Sequence, residues 1–192
     1  MGIPAYFSHI IKEYKQIILN ISKNNIKFDN LFLDSNSIIY DIIRSFKLEH
    51  YKTIDDYEKD IIKAVCVQIK IYIDLINPSD ITFIAFDGVA PVAKMNQQRN
   101  RRYQSEFQKN VLSHLNKDDC NKNKNNDNNP KSMEWNTSSI TPGTEFMGKL
   151  SKFIHTFFKD KKVIISDSFE EGEGEHKIFE YIRENLGPPK HT

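Results

Sequence analysis

The stretch from Ile81 to Arg102 constrains the fold more than any other part of the sequence. It opens with an apolar run, Ile81 to Phe86, which is rich in β-branched and aromatic residues and lies between two aspartates. Such a run is expected to form a buried strand. Asp87 and Gly88 then make a turn, and Pro91 stands where a helix begins, because its fixed φ suits that position. The pattern predicts a strand, a turn and a helix in immediate succession.

The predicted helix carries a stripe of basic and amide side chains. At about 100° per residue, four side chains fall within an arc of roughly 100° on one face: Lys94, Gln98, Arg101 and Arg102. Asp87 lies at the strand end beside this stripe. A carboxylate next to cationic donors suits a divalent metal bound beside a phosphate. The alternative is an ordinary solvated helix face, and this stretch alone does not choose between the two.

Strand patterns alternate with helix patterns along the whole chain. Strands are predicted over 28–33, 81–86 and 162–166. Helices are predicted over 7–18, 37–46 and 54–76, from Pro91 to about 115, from Thr141 and Pro142 onward, and over 178–186. This order implies an α/β fold, a three-layer sandwich with a mainly parallel central sheet. Sites in such folds form at the carboxyl ends of strands, where Asp34 and Asp87 both lie. Each aspartate alone is more often a cap or turn residue.

An acidic motif, EEGEGEHK at residues 170–177, follows the third predicted strand. Within a helix Glu173 and Glu175 would point about 200° apart, so we place them at a loop-to-helix junction, where intervening glycines let them point the same way. Paired carboxylates repel each other unless a cation joins them, and Mg²⁺ or Mn²⁺ prefers such oxygen ligands. The alternative is an acidic, solvated helix start. We expect His176 to be a neighbour or a phosphate contact rather than a metal ligand.

Composition limits the function classes. With 192 residues, of which 39% are hydrophobic, the chain suits one globular domain. Its net charge of +1 means that any nucleic-acid site must come from local clusters of basic residues. Cys66 and Cys120 make neither a disulfide framework nor a zinc site. No apolar run approaches the roughly 20 residues of a membrane span, and no signal peptide is recognisable. We therefore expect an intracellular protein, cytoplasmic or nuclear, with no membrane partner.

Residues 116–130 form a polar, low-complexity tract rich in Asn, Lys and Asp. We expect a mobile surface loop there. RNA binding by its lysines is an alternative, which the aspartates of the same tract oppose.

Five segments together resemble the N-terminal part of the XRN family of 5′→3′ exoribonucleases, which are related to flap endonucleases. They are MGIP, LFLDSNSIIYD, FDGVAPVAKMNQQRNRR, ITPGTEFM and GEGEHKIFEYIRE, and they span nearly the whole chain in the family's order. The resemblance implies a PIN-like, flap-endonuclease-like nuclease fold. It implies metal-dependent hydrolysis of single-stranded RNA from a 5′-monophosphate end.

The resemblance also implies residue roles. Asp34, Asp87, Glu173 and Glu175 fall on the family's metal-binding acidic positions, with Mg²⁺ or Mn²⁺ as the expected cofactor. Lys94, Gln98, Arg101 and Arg102 fall on its basic pocket for the 5′-monophosphate, which would reject capped or triphosphorylated ends by size. These roles agree with the interpretation of the residues themselves.

Three departures from the family pattern stand out. Tyr40 replaces a histidine and is expected to stack on a base rather than carry a proton. Glu171 replaces a proline before GEGEHK. The family's later acidic positions, an Asp-x-Asp strand and a further aspartate, are missing, so the nuclease fold is expected to be incomplete at the C-terminus.

The missing positions lead to further expectations. We expect one reasonable metal site, a second that lacks ligands, and an apolar sheet edge without its next strand. We expect a fragment, or half of a two-chain assembly in which a second chain supplies the missing aspartates. The alternative function is non-catalytic binding of 5′-phosphorylated RNA.

Overall fold

Three parallel strands form the centre of the computed structural model. The structure describes residues 5–18, 26–119, 135–160 and 162–187. Strand β1 is Asn30–Asp34, β2 is Ile81–Ala85 and β3 is Val163–Ser166. β2 lies between the other two and pairs with both in parallel. The predicted parallel sheet is therefore confirmed.

Helices connect the strands. Within the described residues the α-helices are, in chain order, α1 (Tyr6–Glu13), α2 (Asn36–Ser45), α3 (Ile54–Ile76), α4 (Val92–Asp119), α5 (Glu145–Phe157) and α6 (Gly174–Asn185). The fold is α/β, as the alternating pattern predicts. Among the described helices, none combines the length and apolar character needed to cross a bilayer.

The two faces of the sheet are covered by different helices. In register, Leu33, Ile84 and Ile165 share one face, and Phe32, Phe83 and Ile164 share the other. The first face belongs to the main core, which is completed by buried side chains of α2, α3 and α5, among them Ile39, Ile61, Val65, Leu150 and Ile154. On the second face Tyr181 of α6 packs on Phe83, with ring centroids 4.7 Å apart. Helices on both faces make the expected three layers.

The outer strand β3 is only partly covered. Within the described residues it pairs with β2 alone, and Val163, Ile164 and Ile165 are half-buried. This agrees with the expectation of an apolar edge on the sheet.

Two helices begin at different residues from those predicted. We expected a helix start at Thr141 and Pro142, but α5 begins at Glu145. Gly143 has a φ of 86°, which interrupts a right-handed helix, and Thr144 then caps α5 by accepting from the Met147 N–H. α6 begins at Gly174, whereas the sequence pattern predicted a start at Ile178. The prediction missed the first turn because that turn is polar and shows no apolar periodicity.

The first four residues of the predicted polar loop are helical instead. α4 continues to Asp119 and takes in residues 116–119, since no glycine or proline interrupts the helix there. The remainder of the tract, 120–130, lies outside the described residues, as does Cys120. Cys66 is buried in the core, and burial raises the pKa of its thiol to about 12.

A charged network joins α3 to α5. Glu58 is 7% exposed and accepts from the Trp135 indole N–H at 3.1 Å and from the Lys149 ammonium at 2.9 Å. Lys149 also donates to Asp55 at 2.7 Å. Because Trp135 is the chain's one tryptophan, its fluorescence reports on this part of the core.

Candidate active site

The carboxyl ends of β1 and β2 bring two aspartates to one edge of the sheet. Asp34 is the last residue of β1, and Asp87 follows the end of β2 by two positions. The Asn36 side chain donates to Asp87 Oδ2 at 2.6 Å and accepts from the Asp87 N–H at 3.3 Å. Asn36 opens α2, so this pair of bonds fixes the Asp87 side chain relative to the turn after β1.

The N-terminus of α6 meets both aspartates. Glu173 is the extended residue before the helix, and Glu175 lies in the first turn. The Gly174 N–H donates to Asp87 Oδ1 at 2.8 Å. A Cβ atom at Gly174 would lie 2.6 Å from Asp34 Oδ1, so the close approach of α6 to Asp34 requires glycine there. Glu173 is thus at the predicted loop-to-helix junction, whereas the prediction is wrong for Glu175, which lies inside the helix.

The four carboxylates share one electrostatic environment. Partial desolvation raises the pKa of the Asp34 carboxyl above its usual range, and the nearby charges of Asp87, Glu175 and Glu173 raise it further. Like charges that raise each other's proton affinity are stabilised when a cation binds between them. Carboxylate oxygens are hard ligands, which fit Mg²⁺ or Mn²⁺. The residues present thus fit a divalent ion.

His176 lies beside the two glutamates. Glu173, Glu175 and His176 each offer one ligand atom, and these atoms lie within 4.8 Å of one another. His176 Nδ1 is 3.8 Å from Glu173 Oε2, and the ring is largely exposed. The structure places His176 as a neighbour of the two glutamate carboxylates.

The basic stripe of α4 divides between two environments. The Lys94 ammonium contacts the buried Glu173 carboxylate and so reaches the acidic cluster. One and two turns further along, Gln98 and Arg102 line a cavity of about 350 Å³. The Arg102 guanidinium donates to Thr141 Oγ1 at 3.0 Å, which ties α4 to the segment before α5. Arg101 belongs to α4, but its side chain lies outside the described part of the structure.

Other side chains in this cavity were not predicted as site residues. They include Asn96 and Arg99 from α4 and Thr141 and Pro142 from the segment before α5. Arg99 lies outside the basic stripe that was predicted for this helix. The ITPG segment was interpreted as a helix start, and its long-range contact with α4 had no signal in local periodicity.

Comparison with known proteins gives the same family as the motifs. A family model described as XRN 5′-3′ exonuclease N-terminus matches residues 1–192. The chain belongs to this family.

Named relatives of the XRN chain are much longer than it is. The 5′-3′ exoribonuclease 1 of Saccharomyces cerevisiae is 37% identical over 196 residues, which cover 95% of this chain and 12% of the relative. The 5′-3′ exoribonuclease 2 homolog of Drosophila melanogaster is 31% identical over 234 residues, covering 100% of this chain and 25% of the relative. The 5′-3′ exoribonuclease 1 of Homo sapiens is 32% identical over 206 residues, which cover 100% of this chain and 11% of the relative. The XRN chain thus spans a quarter or less of these relatives' length.

Two loops of the XRN chain are joined directly behind the carboxylates. The Gly88 N–H donates to the Gly172 carbonyl at 2.8 Å, and the Gly172 N–H donates to the Val89 carbonyl at 3.1 Å. A Cβ atom at Gly88 would lie 1.6 Å from the Glu170 carbonyl oxygen. This backbone pair holds the turn that carries Asp87 against the loop that carries Glu173. Sequence reasoning assigned Gly88 only to a turn and missed its long-range contact.

Two of the departures from the XRN pattern lie on the surface. Tyr40 is on α2 and is 40% exposed, so its ring is accessible for stacking. Glu171 is exposed as well. The base-stacking role of Tyr40 stays a prediction.

Proposed function

We propose that this XRN chain forms the metal-binding and 5′-end-binding part of a 5′→3′ exoribonuclease that hydrolyses 5′-monophosphorylated, single-stranded RNA. One observation carries the proposal: a cluster of four carboxylates lies next to a cavity lined by arginine and amide side chains. A nuclease that removes nucleotides from a 5′ end needs an anion pocket for the terminal phosphate and a metal site at the bond to be broken.

In this proposal Asp34, Asp87, Glu173 and Glu175 hold Mg²⁺ or Mn²⁺. When bound, the ion supplies Lewis-acid chemistry, which favours deprotonation of water and stabilises the oxygen that leaves phosphorus. Asn36 and the Gly174 N–H bond to the two oxygens of Asp87 and hold its carboxylate in one orientation. Such supporting hydrogen bonds are what orient ligands in metal sites.

The 5′-monophosphate is proposed to bind in the cavity on α4. Gln98 and Arg102 line it, and an arginine guanidinium can donate two parallel hydrogen bonds to a phosphate. Lys94 contacts Glu173 and lies one helical turn before Gln98 on α4, so we propose that it joins the phosphate pocket from the side of the carboxylates. Arg101 is proposed as the fourth member. The cavity of about 350 Å³ has room for a terminal phosphate group.

Binding without cleavage is the second candidate function. The residues that line the cavity on α4 do not include the four carboxylates, so binding of a 5′-phosphate there does not itself require hydrolysis. Two-metal hydrolysis needs ligands on both sides of the scissile phosphate. We infer that ligands from a further segment or a second chain complete the catalytic site.

The test compares 5′-monophosphorylated and 5′-hydroxyl versions of one single-stranded RNA, with Mg²⁺ or Mn²⁺. Stepwise loss of nucleotides from the phosphorylated RNA alone supports hydrolysis by this chain. Tighter binding of the phosphorylated RNA without cleavage supports the binding function. Equal binding of both RNAs contradicts the pocket.

Variants locate the pocket in the same assay. Lys94→Ala combined with Arg101→Ala, and separately Arg102→Gln, are expected to abolish the preference for the phosphorylated end. Arg44→Gln is the matched control, because Arg44 is exposed on α2 and pairs with Asp41. Retained preference in the pocket variants would place phosphate recognition elsewhere.

A further inference from the structure

A buried lysine lies directly behind the acidic cluster. Lys177 is in the first turn of α6 and is only 6% exposed. Its ammonium donates to the carbonyl oxygen of Phe86 at 2.9 Å and to that of Asp167 at 2.6 Å. A buried ammonium costs free energy unless its donors are satisfied, and an apolar side chain of similar length would fill the same space without that cost. A charged side chain at this buried position therefore implies a role beyond filling space.

The two carbonyl acceptors of Lys177 lie just after the ends of two neighbouring strands. Phe86 is the residue before Asp87, and Asp167 is the residue after β3. Lys177 thus joins the ends of β2 and β3 to the helix that begins with Gly174. The Lys177 N–H also donates to the Glu173 carbonyl at 3.0 Å. Lys177 accordingly contacts the main chain next to Asp87 through its side chain and the Glu173 carbonyl through its main-chain N–H.

The positive charge of Lys177 also acts on metal binding directly, in the direction opposite to that of its hydrogen bonds. Desolvation lowers its pKa, while the carboxylates of Glu170, Asp167 and Asp87 act to raise it. A positive charge so near the acidic cluster repels a metal ion. Loss of that charge alone would tighten metal binding, whereas loss of the hydrogen bonds would loosen the geometry of the ligands. The two effects have opposite signs, so an experiment separates them.

We propose that Lys177 is a positioning residue for the metal-binding carboxylates. Its ammonium fixes the carbonyl ends of β2 and β3 against α6, so that Asp87 stays opposite Glu173 and Gly174. This inference rests on the metal site of the proposed function. It extends that site to a buried lysine that is neither one of the four carboxylates nor a lining residue of the cavity on α4.

The test is Mn²⁺ binding by the 192-residue chain, measured from the electron paramagnetic resonance signal of unbound Mn²⁺. Lys177→Met removes the ammonium but keeps the length of the side chain. Its dissociation constant for Mn²⁺ is expected to rise at least about tenfold, within the range seen when supporting residues of metal sites are lost. Lys177→Arg keeps the charge and has donors for both carbonyls, so it is expected to bind Mn²⁺ more tightly than Lys177→Met does. Lys152→Met, at an exposed position on α5, is the matched control and is expected to leave binding unchanged.

Folding is checked first, by the Trp135 fluorescence and circular dichroism of each variant. If Lys177→Met does not fold, Lys177→Gln, which keeps one amide donor, takes its place with the same expected loss. A folded Met or Gln variant that binds Mn²⁺ as tightly as the wild type, or more tightly, overturns the inference. A lowered unfolding midpoint with unchanged Mn²⁺ affinity also overturns it, because the role would then be structural only. Failure of the wild type to bind Mn²⁺ would instead refute the metal site of the proposed function.

Discussion

Replacing Gly174 with alanine tests how closely α6 approaches the acidic cluster. The added Cβ would lie 2.6 Å from Asp34 Oδ1 and 3.0 Å from Asp34 Cγ. Asp34 is a short side chain at the end of a strand, so it must rotate away or α6 must shift. Forcing an extra carbon into such a contact typically costs about 1–3 kcal/mol, against a gain of about 0.5–1 kcal/mol from removing a glycine.

The expected result of Gly174→Ala is a free energy of unfolding lower by about 1–2 kcal/mol, measured by urea unfolding with Trp135 fluorescence. A shift of one carboxylate ligand should also weaken Mn²⁺ binding about tenfold, which corresponds to about 1.4 kcal/mol. Gly148→Ala is the matched control. The new Cβ would be 3.9 Å from Phe169 Cζ, an ordinary contact, so this helix substitution should stabilise the protein by about 0.5–1 kcal/mol. If Gly174→Ala were as stable as the wild type and bound Mn²⁺ equally, Asp34 would not pack against the first turn of α6.

Three further predictions concern stability. Gly88→Ala is expected to lower the free energy of unfolding by about 2–4 kcal/mol, because its Cβ would lie 1.6 Å from the Glu170 carbonyl oxygen and would part the two loops; an unchanged urea midpoint would contradict this. Asp34→Asn is expected to stabilise the protein at pH 7 in EDTA. The pKa of the Asp34 carboxyl in the folded protein is raised above 3.8, so ionisation of this group destabilises the folded state. The wild type is unaffected by this cost below pH 3.8 and loses stability as the pH rises through the raised pKa. The difference between variant and wild type should therefore shrink as pH falls to 3.8 and below, and a variant less stable at pH 7 would oppose the argument. Glu58→Ala is expected to cost about 1–3 kcal/mol, because it leaves the half-buried Trp135 indole N–H and one contact of Lys149 unsatisfied; an unaltered thermal midpoint would show that the network contributes nothing.

Local sequence patterns predicted the elements that carry the acidic residues. The alternation of strand and helix patterns implied parallel strands, and parallel strands place Asp34 and Asp87 at the same edge of the sheet. The geometric conflict between Glu173 and Glu175 within a helix placed both at a loop-to-helix junction, where Glu173 lies, although Glu175 is in the first turn of α6. In each case a periodicity of two or 3.6 residues was enough, because the prediction concerned direction along a single element.

The contacts between elements could not be predicted in this way. Asn36 looked like a helix-start residue, but its amide binds Asp87, which is 51 positions away. The Gly88 and Gly172 backbone pair and the bonds from Lys177 likewise join segments far apart in sequence. A charged residue in a polar helix turn gives no local sign of burial. These supporting contacts depend on how the loops after β2 and β3 pack together, and only the tertiary structure shows that.

The most direct test of the account is Mn²⁺ binding by the wild-type chain and by Asp87→Asn, with Asp74→Asn as the control. Asp74 is an exposed carboxylate on α3 that pairs with Lys70, so its loss removes the same charge far from the proposed site. The account predicts saturable binding by the wild type and the control, and a dissociation constant at least about tenfold higher in Asp87→Asn. Equal affinity in all three proteins, or no saturable binding by the wild type, would contradict the assignment of these carboxylates to a metal site.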